Sequence, residues 1–263
     1  MIEWLIFGLI GIFSGLSAGL LGLGGGVIIV PALIIVFSYQ AIPETHLMQF
    51  AVGTSLMTIT VTSLSAMWAH HRQGTVDWLI FKQLVTGLLL GGISGAFLAS
   101  YLSSDVLQRL FAIYILIVAF KMLLAGKKEK YYNLPGKTGL FLVGTGIGSI
   151  SAILGIGGGS LTVPYLVAGH KSIHQAIGTA AACGFPIAVA GVVGFMLTGS
   201  KSAITISAWH TGFINWQAFL GIIATSILFA PIGAKLAKKL PVTILKQIFS
   251  IMLFSIGLAM LWH

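Results

Sequence analysis

Apolar runs of about 20 residues, separated by short polar clusters, recur from one end of this chain to the other. They occupy 5–23, 47–69, 79–99, 106–125, 140–156, 176–197, 213–234 and 242–262. A helix needs about 20 apolar residues to cross a hydrocarbon core about 30 Å thick, so each run predicts one spanning helix. None shows the strict alternation of a transmembrane β-strand. Two shorter runs, 27–37 and 160–168, depart from the pattern. Eleven helical residues reach only about 17 Å, so the first is a half-helix unless 38–42 extend it.

Both short runs follow the same punctuation. Residues 19–31 read GLLGLGGGVIIVP and residues 152–164 read AILGIGGGSLTVP. Gly24, Gly25 and Gly26, like Gly157, Gly158 and Gly159, can adopt backbone angles closed to other residues, ending one helix and starting another inside the protein. The new helix then presents unpaired N–H groups and the positive end of its dipole, which attracts anions. Pro31 and Pro164 are expected to mark the structural helix breaks, each leaving a carbonyl free at Val27 or Ser160. The other reading is that the glycines only let helices pack closely. Gly87, Gly91 and Gly95 look like such a packing stripe, as do Gly11, Gly15 and Gly19. On that ground Gly91→Ala is expected to be milder than a β-branched residue at Gly25 or Gly158.

The repeat extends beyond the glycines. Val52-Gly53-Thr54 is echoed by Ile177-Gly178-Thr179, and Asp77-Trp78 by Asn215-Trp216. If both short runs cross, twelve of the fourteen Lys and Arg fall on one side, with only Arg109 and Lys201 opposite; if they turn back, the split is eight to six. The crossing arrangement predicts an all-α polytopic membrane protein of two inverted-topology repeats, about five helical segments each. Residues 1–126 and 138–263 form the repeats, a basic cytoplasmic linker spans 127–137, and both termini lie outside. The first span is read as mature structure, because no positive n-region precedes it.

Composition agrees with a bilayer as partner: of 263 residues, 57% are hydrophobic and 7% charged, with mean hydropathy +1.03. The net charge of +9 sits between apolar spans, so it reads as topology signal and not as a nucleic-acid surface. One cysteine, Cys183, excludes an internal disulfide and a Cys-built metal site. His170 and His174 have no third ligand beside them, and no metal or cofactor is expected. All five acidic residues lie at span ends or in loops, which removes a carboxylate-built cation site or proton relay. His70, His71 and Arg72 read as interfacial, and solvation at span ends accounts for Gln49 and Asn215.

Backbone amides, dipoles and hydroxyls remain to hold an anion. Thr54 and Ser55, two turns into their span, and Thr179 at the matching place are candidate side-chain ligands; alternatively each hydroxyl bonds its own helix. Gly92-Ile93-Ser94-Gly95 resembles the GxSG of rhomboid-type intramembrane proteases, which makes Ser94 the nucleophile of a rival reading. The motifs GLGGGVIIVP and GIGGGSLTVP, the Gly-Thr dipeptides and the whole-chain repeat resemble the TauE/SafE family of membrane permeases, often called sulfite exporters. The resemblance implies movement of a small sulfur-containing anion, such as sulfite or an organosulfur acid, across the bacterial inner membrane. It carries over only the glycine, proline and Gly-Thr positions. Substrate, direction, a proton or sodium as coupling ion and oligomeric state stay open.

Overall fold

Lipid offers the backbone no hydrogen-bond partner, so a chain this apolar must pair its amides and carbonyls internally, as helix. A computed structural model describes residues 2–22, 24–40, 42–123, 132–201, 209–237 and 242–262. Its first half holds α1 (Ile2–Leu21), α2 (Gly26–Ser38), α3 (Leu47–Arg72), α4 (Trp78–Tyr101) and α5 (Ser104–Leu123). The second holds α6 (Lys137–Leu154), α7 (Gly159–Ala168), α8 (Ile173–Lys201), α9 (Trp216–Leu236) and α10 (Val242–Trp262). Among the described residues, α1, α3, α4, α6, α8 and α9 are long and apolar enough to cross a bilayer. The chain is an all-α polytopic membrane protein. Of the expected linker, 127–131 lie outside the described residues, and α6 begins at Lys137.

The apolar run at 213–234 begins differently from its sequence pattern. A two-residue hairpin, β1 (His210–Thr211) paired with β2 (Ile214–Asn215), occupies its start, and the helix begins at Trp216. Gly212, at φ +57°, makes the turn. Pro31 and Pro164 also differ from expectation: both lie inside α2 and α7, and the helical path stops at the glycines before them.

Helices pair across the halves in a reciprocal way. Along α1, Gly11, Gly15 and Gly19 face the carbonyls of Ile222, Ser226 and Ala230 on α9. Along α4, Gly87, Gly91 and Gly95 face the carbonyls of Phe141, Thr145 and Ser149 on α6. Each contact series advances in step, so both pairs run parallel with backbones in contact. This overturns the mild outcome expected of Gly91→Ala, because a Cβ there would stand 2.1 Å from the Thr145 oxygen. By contrast α3 and α8 run antiparallel, with Ser63 beside Gly184 and Leu56 beside Gly191. They are the central helices: 67% and 72% of their apolar windows are buried, against 39–56% for the other four.

Candidate functional site at the glycine breaks

Each glycine run is a helix stop and a helix start a few residues apart. Gly22 and Gly155, both at φ +68°, end α1 and α6; Ile156 N donates to Ser151 O at 2.9 Å, so an orphan carbonyl is satisfied at the α6 terminus. Gly25 and Gly158, at φ +78° and +73°, are the N-caps of α2 and α7. A side chain is strained at such angles. The first amides bonded within the new helices are Ile28 and Ile29, to Gly25 O, and Leu161 and Thr162, to Gly158 O. The amides of Gly26, Val27, Gly159 and Ser160 precede them and have no partner along their own helix.

The two runs touch. A Cβ on Gly24 would stand 2.7 Å from Gly157 Cα, and one on Gly157 would stand 2.8 Å from Gly24 Cα. Gly26 is held as closely, its Cβ position lying 2.2 Å from Gly155 O. Only bare backbone fits there. α3 and α8 flank the crossing: Ser55 Oγ donates to Gly155 O at 2.8 Å, Ile59 lies against Gly24, Gly26 and Gly157, and Gly184 lies against Gly157 O. The buried polar side chains described include no Asp, Glu, Lys or Arg. Two positive dipole ends thus converge where no formal charge is buried.

From the crossing the half-helices lead to opposite ends of α3. Beyond α2, Gln40 accepts from Asn215 Nδ2 at 3.4 Å, near Thr54 in the second turn of α3. Beyond α7, Lys171 meets Asp77 at 2.9 Å, at the end where His70 lies in the last turn of α3. Those two positions of α3 are about 24 Å apart at 1.5 Å per residue.

Thr54 and Thr179 belong to these ends. Thr54 Oγ1 accepts from Asn215 N at 3.0 Å, and Thr179 Oγ1 accepts from Asp77 N at 2.9 Å. Asn215 and Asp77 in turn cap α9 and α4, accepting from Ala218 N at 2.9 Å and Ile80 N at 3.1 Å. The glycine of each Gly-Thr pair makes room for the same segment, since Gly53 lies against Phe213 O and Gly178 against Thr75 O. Each Gly-Thr pair is therefore a notch that clasps the start of the opposite half's fourth helix. One clasp ends in the neutral Asn215–Gln40 pair, the other in the Asp77–Lys171 ion pair. Burial works to raise the Asp77 carboxyl, but Lys171 and the α4 amides outweigh it and hold the group below its ordinary value.

Two sequence readings are corrected here. Gln49 and Asn215 are both buried, at 2% exposure, and Gln49 Nε2 donates to Leu102 O at 2.7 Å. His70 is buried too, at 2% exposure, with Nε2 3.0 Å from Gly19 O, so it packs against α1 and is not solvated. The contacts that bury them are remote in the chain, to Leu102 for Gln49, Gly19 for His70 and Thr54 for Asn215, and only the Asn215 cap on Ala218 N is a local feature. Ser94 Oγ donates to Gly91 O at 3.1 Å and lies 3.2 Å from Ser149 Oγ; neither group is a base that could activate it. Among the described residues, no three His, Cys, Asp or Glu converge as metal ligands.

Fold and site define a polytopic helical membrane protein organised around two broken helices in contact. The family model for the sulfite exporter TauE/SafE matches residues 7–260, and the chain belongs to that family. It is 34% identical over 254 residues to a "Probable membrane transporter protein" of Haemophilus influenzae, covering 96% of each chain. A protein of the same description from Methanocaldococcus jannaschii is 24% identical over 255 residues, with 96% of this chain and 93% of the relative covered. No solved structure matches the chain.

Proposed function

We propose that this protein is a permease for a small sulfur-containing anion, sulfite or an organosulfur acid, working by alternating access. The observation that carries the reading is the contact of Gly24 with Gly157. It brings together two helix N-termini, with their free amides, at a place lacking a buried cation. Gly24, Gly25, Gly26, Gly157, Gly158 and Gly159 line the substrate position, with Ser55 beside them. Thr54 and Thr179 stand at its two ends. The halves act as inverted repeats, a reading supported by the reciprocal α1–α9 and α4–α6 pairs and by the antiparallel α3 and α8. The clasps at Asn215 and Asp77 open in alternation. The protein resides in the bacterial inner membrane with its Lys-rich linker cytoplasmic and both termini periplasmic, as the distribution of Lys and Arg supports.

The test is sulfite flux in proteoliposomes. The wild type should move labelled sulfite, and Gly25→Val or Gly158→Val should abolish the flux, because valine cannot hold the left-handed angle at either N-cap. Full flux in both variants would remove the glycine breaks from the transport path.

A further inference from the structure

Each glycine break has a buried serine against its N-cap glycine, Ser14 at Gly25 and Ser151 at Gly158, but the Ser14 hydroxyl donates to Gly11 O at 3.3 Å and the surroundings otherwise differ. When the GxGGG runs are aligned, Ser151, Ser160 and Thr162 in the second half stand where the first has Ala18, Val27 and Ile29. Ser151 and Thr162 are fully buried, and neither hydroxyl has a hydrogen-bond partner. Ser151 Oγ points at the start of α7: it lies 3.3 Å from the Cβ position of Gly158, the N-cap of that helix. Ile187 and Ile147 complete the same niche, so the hydroxyl faces the helix end from an otherwise apolar wall. Thr162 lies one turn into α7, its amide bonded to Gly158 O at 2.8 Å. The Ser160 hydroxyl is held by Tyr114 of α5.

A buried hydroxyl without a partner is costly, and native proteins keep few. Two of them, one beside the cap and one in the second turn of a helix starting at an anion-attracting point, are donors suited to acceptor oxygens. We propose that the substrate is held asymmetrically, its oxyanion head on the α7 side, by the hydroxyls of Ser151 and Thr162 and the amides of Gly159 and Ser160. This rests on the permease reading above and deepens it. The ligand class is a small oxyanion recognised by neutral donors alone. The first-half break, with alanine, valine and isoleucine at these positions and the Ser14 hydroxyl already donated to Gly11 O, supplies backbone shape and the opposing dipole.

Isothermal titration of the full-length detergent-solubilised protein tests this, with sulfite as probe and inorganic phosphate as comparison. Ser151→Ala and Thr162→Val each delete one donor and should weaken sulfite binding at least about tenfold. Their ligand-free melting temperatures should equal or exceed the wild type's, because no hydrogen bond is lost and an orphaned hydroxyl is removed. Hydroxyls with only a structural role would give lower melting temperatures and unchanged binding. If the wild type binds sulfite and both variants bind it equally well, the asymmetric site is wrong while the permease reading stands. If phosphate binds in place of sulfite and the variants lose it, the hydroxyl site stands and the sulfur assignment falls. Wild-type protein that binds neither ion overturns both.

Discussion

Replacing Gly91 by alanine adds one methyl group to a helix otherwise favourable to it, and yet it should be among the most damaging single changes in this protein. The new Cβ would stand 2.1 Å from Thr145 O, 2.8 Å from Ser149 N and 2.9 Å from Thr145 C. All three are backbone atoms of α6, so no rotamer change relieves the overlap. Ordinary contact begins at 3.4 Å, so α4 and α6 must separate by roughly 1.3 Å at this point. Gly87 and Gly95 meet the same helix at 2.2 and 2.3 Å, so a separation at Gly91 loosens contacts along the whole seam. The cost belongs at the top of the overpacking range, about 3 kcal/mol. For a chain of this size that lowers the melting temperature by about 6 to 12 °C. Gly146 is the control: it lies on α6, exposed, with nothing within 4 Å of its Cβ position. Gly146→Ala should stabilise by about 0.5 to 1 kcal/mol through the smaller entropy lost on folding. Thermal unfolding in detergent, followed by far-ultraviolet circular dichroism, measures both. Gly91→Ala melting within a degree of wild type, or Gly146→Ala losing as much, would refute the close-contact reading.

Thr54→Val keeps side-chain shape but leaves the Asn215 amide buried without an acceptor, and should cost about 1 to 3 kcal/mol. Thr179→Val should cost less, because Asp77 is only partly buried; equal melting of wild type and Thr54→Val would show that the clasp contributes nothing. Asp77→Asn should keep the α4 cap and lose the ion pair, costing about 1 kcal/mol at pH 7. Because the folded carboxyl lies below its ordinary value of 3.8, the wild type's advantage is fully present above that value. It disappears as pH falls through the lowered folded one. The melting difference between wild type and variant should therefore be full at pH 7 and narrow progressively as the pH is lowered below 3.8.

The order of long and short apolar segments was legible in one dimension, because spanning length and the demand for internal backbone pairing act on each segment alone. The helix starts at Gly25 and Gly158 were legible for the same reason, since a left-handed residue is a local requirement that glycine meets wherever it stands; the stops fall earlier than the GxGGG triplets, at Gly22 and Gly155. Partners were not legible. Thr54 reads in sequence as a candidate anion ligand or a hydroxyl bonded to its own helix, and nothing local shows that it receives an amide 161 positions away or that Thr179 receives one 102 positions away. His70 and Asn215 sit at segment ends, where solvent would be enough for them, and only the packing of α3 against α1 and of β2 against α3 buries them. Gly91 in isolation is a small residue on a helix; the carbonyl of Thr145 facing it is what forbids a methyl group. Local chain chemistry thus determined where helices begin, end and break. Which bare surfaces meet, and which hydroxyls are spent on caps, was decided by long-range packing that no single segment encodes.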